Sequence, residues 1–250
     1  NPEWLGDLLL YLVHRAGGQP ALLTFKLALI CGGWLLVLHL ALRMGATPLL
    51  AAALLLMMLP PCVARFTLRN YIHAYWLVPL YGLILHRARD PGALRSLWAL
   101  LPLGVLWANL HGSFPIGWAV LAAALVSALL APQRDRRLIL ALAGVLAAHP
   151  LLALVSPHGP HNYGQILDHL RGAAVYRTLI AEWQPAVDAP GLLRQLPLHL
   201  MGLVGLASFL PGVNRRRAEP FLLLVVGLVM AHTSRRFIPL LAVLAAPGVA

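Results

Sequence analysis

The polar residues of this chain fall into alternate gaps of an almost continuous apolar sequence. One set of gaps holds plain arginine clusters: Arg43; Arg87, Arg89 and Arg95; Arg134, Arg136 and Arg137; Arg215, Arg216 and Arg217. The other set holds the groups with chemistry in them: Glu3-Trp4, Arg65 to Arg69, Asn109 to Ser113, the stretch from Ser156 to Arg194, and Thr233 to Arg236. A chain that threads a bilayer back and forth sends alternate gaps to opposite faces. The pattern therefore predicts an all-α, polytopic transmembrane helix bundle with its machinery on one side.

Composition agrees. Sixty per cent of the residues are hydrophobic and only 11% are charged, and the mean hydropathy is +0.78. A hydrocarbon core about 30 Å thick takes roughly 20 apolar residues per helix. The apolar runs at 21–42, 46–64, 70–86, 96–110, 114–131, 138–156, 195–211, 218–232 and 236–250 give about 8–9 spans. Transmembrane strands would need strict alternation, which runs such as Ala119 to Leu130 lack. The whole of 1–250 reads as a single transmembrane domain with no soluble domain and no internal repeat. Residues 1–20 form an amphipathic interfacial segment, with Trp4, Leu5, Leu8, Leu9 and Leu12 set against Glu3, Asp7 and Arg15. Gly17-Gly18-Gln19-Pro20 breaks it, and Pro20 can open the next helix. Residues 157–194 make one long extracytoplasmic loop whose middle, Asn162 to Leu170, suits a short helix. The chain opens on Asn1 and closes inside an apolar run, so the expectation is a fragment shortened at both ends.

A net charge of +11 on a soluble protein would suggest nucleic acid. Here the arginines flank membrane helices and meet anionic headgroups, so membrane lipids are the expected partner and nucleic acid is not. The positive-inside rule places the plain clusters, ten arginines against eight, in the cytoplasm. Cys31 and Cys62 both sit in apolar runs and read as small buried hydrophobes rather than a disulfide.

Four constellations carry candidate chemistry. In Trp107-Ala108-Asn109-Leu110-His111-Gly112-Ser113-Phe114, Asn109 and His111 are costly in hydrocarbon unless they meet a partner or water. In Ser156 to Gly164, followed by Asp168-His169, the residues His158, His161, His169 and Asp168 offer imidazole and carboxylate ligands. Gly159-Pro160 makes a turn there and no H-E-x-x-H pattern appears, so a loop packed back over the membrane face is preferred and no metal ligand is assigned. In Ile180-Ala181-Glu182-Trp183-Gln184-Pro185, a carboxylate beside an indole is an acid/base candidate, with a salt bridge to Arg177 or Arg171 as the structural alternative. Lastly, Arg65, Arg69, Arg235 and Arg236 lie on the face that topology disfavours for cations. A phosphate held at the membrane surface would account for them, since the guanidinium fork stays charged and matches phosphate oxygens.

Taken together, N-P-E-W-L at the start, W-A-N-L-H-G-S-F, S-P-H-G-x-x-N-Y, I-A-E-W-Q-P and a late Arg-Arg before an apolar helix resemble bacterial multi-spanning glycosyltransferases of the GT-C type. The resemblance covers nearly the whole chain, and N-L-H-G and E-W-x-P are its most specific parts. It implies transfer of a sugar from a polyprenyl-phosphate carrier to an acceptor on the extracytoplasmic face, in a multi-pass protein of the bacterial inner (cytoplasmic) membrane. An acidic residue of the first extracytoplasmic loop then acts as base or metal ligand, which admits a divalent metal ion as cofactor. Only the tail of that loop, Glu3 to Asp7, is present.

Under this resemblance Arg65, Arg69, Arg235 and Arg236 are donor-phosphate candidates. Glu182, His111 and Glu3 are acid/base candidates, and Asn109, His158 and Tyr163 shape the substrate cleft. Two other classes compete. A transporter or flippase for a lipid-linked or anionic solute would concentrate its polar groups mid-span, and a non-catalytic membrane subunit would use its arginines on lipid alone.

Overall fold

A computed structural model describes residues 3–63, 65–185, 192–209 and 218–249. Among them the chain is all-α, with eleven helices and no strand. These are α1 (Trp4–Arg43), α2 (Pro48–Val63), α3 (Ala74–Arg87), α4 (Leu100–Leu110), α5 (Pro115–Leu130), α6 (Arg136–Leu152), α7 (His161–Arg171), α8 (Ala173–Leu179), α9 (Leu192–Phe209), α10 (Ala218–Thr233) and α11 (Ile238–Val249). The Arg215–Arg217 cluster lies outside the described residues.

Helix α1 is long because two helices abut across a break. Gly17 (φ −160°, ψ 22°) and Gly18 (φ 61°, ψ −149°) leave helical geometry inside its 40 residues. The Gly18 angles are ones that an L side chain rarely adopts, so glycine is required there. Pro20 follows the break and starts the second piece, as the sequence predicts.

Among the described residues α1 is the one helix long and apolar enough to cross a membrane. Helices α2, α5 and α10 have 16 residues each. At 1.5 Å per residue such a helix spans about 24 Å, short of the roughly 30 Å hydrocarbon core. The apolar runs of the sequence are longer than the helices because turns take some of their residues. Run 70–86 begins with a 3-10 turn at Asn70–His73, and run 96–110 is preceded and entered by another at Leu94–Ala99. The expected eight or nine full spans are therefore not matched by helix length. The stretch 157–194 is likewise more structured than a loop, since it contains α7 and α8.

The helices run between two ends. Glu3, just before α1, and Arg65, His111, Glu182 and Arg236, from four separate connections, line one cleft at the first end. At the other end Arg89 pairs with Glu219, close to Met44 and His86. Helix α11 fills the centre, with Leu241, Ala242, Val243 and Leu244 all buried against neighbouring helices. Two polar side chains inside the bundle, Tyr81 and His149, are paired. His149 donates from Nδ1 to the Val145 carbonyl at 2.8 Å, which leaves Nε2 to accept from the Tyr81 hydroxyl at 3.0 Å. Trp107 stands edge-on to the same tyrosine, with ring centroids 5.3 Å apart. Cys62 is buried as expected, but Cys31 is exposed on the surface of α1, because its position on the helix faces away from the bundle.

Candidate functional site

The N-terminal piece of α1 is pinned to the bundle by close packing. A Cβ on Gly6 would lie 2.6 Å from Asn70 Cγ and 2.7 Å from the Leu110 carbonyl, so only glycine lets the helix approach. Two residues earlier, Trp4 Nε1 donates to Asn109 Oδ1 at 2.7 Å. Asn70, buried at the head of the third apolar run, donates from Nδ2 to Asp7 at 2.7 Å and to Glu3 at 3.3 Å. These contacts deliver the Glu3 carboxylate to the turn after α4. There the Gly112 N–H donates to Glu3 Oε1 at 3.3 Å, and His111 Nε2 lies 3.3 Å from the same oxygen. The Ser113 N–H donates to His111 Nδ1 at 3.0 Å. A nitrogen that accepts is unprotonated, so the network assigns the proton to Nε2, facing Glu3. Glu3 and His111 form an oriented carboxylate–imidazole pair.

A second group is built from the connection after α2 and the turn after α8. Glu182 Oε2 accepts from Arg65 Nη1 at 2.9 Å, and Glu182 Oε1 accepts from Arg69 Nη1 at 3.1 Å. Neither Arg177 nor Arg171 takes the role proposed for it as partner of Glu182; among the described residues the ion pairs of Glu182 are with Arg65 and Arg69. The Tyr71 hydroxyl donates to the Arg65 carbonyl and accepts from Thr67 Oγ1 at 2.8 Å, which fixes the arginine-bearing connection.

The third group is the turn before α11. Arg236 lies with Cζ 4.0 Å from the centroid of the Trp183 ring, a cation–π stack. Burial lowers the Arg236 guanidinium below its ordinary value, while the Glu182 and Glu3 carboxylates push the other way. Both carboxylates line the same cleft as Arg236. The Trp183-bearing turn is held by Ser234 Oγ, which donates to the Glu182 carbonyl at 2.8 Å, and by the Arg235 N–H, which donates to the Gln184 carbonyl at 3.0 Å.

All three groups open onto one cleft of about 480 Å³. Its guanidinium groups come from Arg65, Arg69, Arg177 and Arg236 and its carboxylates from Glu3 and Glu182, a surplus of two positive charges. Such a chamber suits an anion set beside a carboxylate–imidazole pair.

Of the residues singled out from sequence, Glu3, Arg65, Arg69, His111, Glu182 and Arg236 meet in this cleft. Four do not line it. Asn109 is buried and spends its amide as a joint, accepting from Trp4 and donating to the Val105 and Val155 carbonyls at 2.8 and 2.9 Å. Tyr163 turns its hydroxyl to the Pro150 carbonyl and its ring toward Phe114, 6.0 Å between centroids. His158 sits in a turn whose N–H bonds Ser156 Oγ at 3.3 Å. Arg235 buttresses the Glu182 turn, its Nε donating to the Pro185 carbonyl at 3.2 Å.

Sequence reasoning gave no role to Asn70 and treated Arg177 and Trp183 only as neighbours of Glu182. Asn70 carried a signal, being an amide directly after Arg69 at the mouth of an apolar run. Among the described residues no group of three or more His, Cys, Asp or Glu side chains is placed to hold a metal ion, so His158, His161 and Asp168 do not converge. The side chain of His169 lies outside the described residues. No family model, curated protein or solved structure matches the chain.

Proposed function

We propose that this chain is the membrane-embedded core of a GT-C-type glycosyltransferase, moving a sugar from a polyprenyl-phosphate carrier to an acceptor hydroxyl at the extracytoplasmic face of the bacterial inner membrane. The observation that carries the proposal is the convergence of Glu3–His111 and four arginines in one cleft at one end of the helices. Placing the polar groups at an end, rather than mid-bundle, favours headgroup-level chemistry over solute passage.

The chemistry follows from that arrangement. The bond between the sugar's anomeric carbon and the carrier phosphate breaks as a bond to the acceptor oxygen forms. The acceptor proton passes to the Glu3 carboxylate, which the His111 Nε2–H, the Gly112 N–H and Asn70 orient. The departing phosphate gains charge, and Arg236 with Arg177, Arg65 and Arg69 stabilises it. The described residues offer no complete metal-ligand set, and no step here passes through a metal.

A multi-pass setting of eight or nine spans is part of the same proposal. Support comes from the outward faces: Leu49 is 82% exposed and Leu203 64%, with Leu35, Leu56, Leu140, Leu151 and Val229 also bare. So many large apolar side chains facing water would be an aggregation liability, whereas a bilayer covers them. A bilayer that thins locally accommodates helices of 16 residues.

The test is sugar transfer by the purified chain in lipid nanodiscs supplied with polyprenyl-phosphate-linked hexose or pentose donors. Transfer, with donor binding weakened in Arg69→Ala and Arg236→Ala, is expected. Donor affinity unchanged in both variants removes the phosphate clamp, and with it this reading.

A further inference from the structure

Glu182 occupies a place that an anionic ligand would want. Its two carboxylate oxygens sit 2.9 Å from Arg65 Nη1 and 3.1 Å from Arg69 Nη1, bridging two guanidinium groups as two oxygens of a phosphate would. The pair is only partly shielded: the Arg65 and Glu182 side chains are about a quarter exposed and Arg69 is 61% exposed. Ion pairs this open are weak and exchangeable.

The backbone around Glu182 is held independently of that carboxylate. The Glu182, Gln184 and Pro185 carbonyls are each tied to the Ser234–Arg235 turn, at 2.8, 3.0 and 3.2 Å. Trp183 is additionally stacked under Arg236. The side chain can therefore rotate away from the arginines while the turn stays docked. The space it would vacate is part of the cleft that also contains Arg177 and Arg236.

We infer that Glu182 is a built-in carboxylate plug: it fills the Arg65–Arg69 anion site in the empty protein, and a phosphate or diphosphate group displaces it on binding. This deepens the glycosyltransferase reading and rests on it, because the displacing group is the phosphate of the donor. The device has a physical purpose. Two guanidinium groups facing each other with no anion between them repel, and Glu182 keeps them paired between turnovers. It also sets a threshold, since only an anion that presents two oxygens to the two guanidinium groups, as a phosphate does, replaces the tethered carboxylate. A phosphate of the required kind can come from a soluble molecule or from a lipid headgroup, and the two sources share this recognition chemistry.

The experiment titrates inorganic pyrophosphate by calorimetry into the full chain in phosphatidylcholine nanodiscs. Wild type is compared with Glu182→Gln, and both with an Arg65→Gln/Arg69→Gln double variant. Glu182→Gln keeps the shape of the side chain but cannot hold two cations, so the plug predicts about tenfold tighter pyrophosphate binding. Adding the arginine substitutions to Glu182→Gln should then abolish the gain. Where Glu182→Gln does not fold, Glu182→Asp serves, since the shorter reach cannot span both arginines and gives a smaller gain of the same sign. Equal affinity in wild type and the Glu182 variant, with the double arginine variant weaker, overturns the plug but leaves the arginines as a phosphate site. Pyrophosphate bound by neither wild type nor the Glu182 variant overturns the phosphate reading itself. Repeating the titration with a polyprenyl phosphate in the disc assigns the source: competition by the lipid identifies a lipid-borne phosphate as the natural ligand, and no competition a soluble phosphate.

Discussion

The two ends of this bundle spend their charge in opposite ways. At the cleft end arginines are drawn inward onto partners far away in sequence: Arg65 and Arg69 onto Glu182, Arg236 onto Trp183. At the other end Arg43, Arg87, Arg95, Arg134, Arg136 and Arg137 are all exposed and, among the described residues of that set of connections, Arg89 alone reaches an ion pair, with Glu219. The same residue type thus serves two purposes. In the proposed membrane setting outward arginines orient the bundle against headgroups, which needs charge but no geometry. Inward arginines hold a shape, which needs partners, and that difference separates a candidate site from a topological signal.

The sharpest way to break the comparison is Glu3→Gln. If the cleft end is catalytic, transfer should fall by about 10²–10⁴, the usual worth of a general base. Wild-type turnover would reduce the Glu3–His111 pair to packing. The next effect in size is Gly6→Ala against Gly144→Ala. The first adds a methyl where Asn70 and the Leu110 carbonyl already touch, and overpacking of this kind costs about 1–3 kcal/mol. Gly144 meets nothing within 4 Å, so the same change on α6 should stabilise by about 0.5–1 kcal/mol. Thermal unfolding of both variants in detergent reads the contrast directly.

A smaller effect is expected from Arg236→Ala, about tenfold weaker donor binding, with Arg137→Ala at the opposite end leaving affinity where it was. Equal losses would mean that bulk positive charge, not the cleft, attracts the donor. The smallest belongs to Asp135→Ala at the opposite end. Asp135 Oδ1 accepts from the Arg137 and Leu138 N–H groups at 2.8 and 3.2 Å and caps α6, so its removal should cost about 1 kcal/mol of stability with no change in transfer.

Much of this was legible in the sequence. The all-α class followed from apolar runs without alternation. The sorting of Glu3, Arg65, Arg69, His111, Glu182 and Arg236 to one end followed from counting gaps, because each helix reverses the chain. The break at Gly17-Gly18 followed from glycine beside proline.

What gap-counting cannot give is adjacency within an end. That Glu182 would meet Arg65 and Arg69, more than a hundred residues earlier, depends on how α2, α8 and α11 pack. Nor does an amide announce its use: Asn109 and Asn70 look alike in sequence, yet one is absorbed by backbone carbonyls while the other reaches a cleft carboxylate. Helix length was overread for a simple reason. Apolar residues continue through the 3-10 turns at Asn70–His73 and Leu94–Ala99, so hydropathy runs past the point where the α-helix stops.

The break inside α1 makes the first 14 residues of that helix a lever. Its pivot is at Gly17 and Gly18, and its far tip is the carboxylate of Glu3. The arm is about 20 Å long at 1.5 Å per residue, so a tilt of only about 5° at the pivot swings the tip by nearly 2 Å. That is enough to carry Glu3 out of reach of His111 Nε2. The contacts at Trp4, Gly6 and Asp7 are therefore what hold the lever set, and the Glu3–His111 distance depends on them.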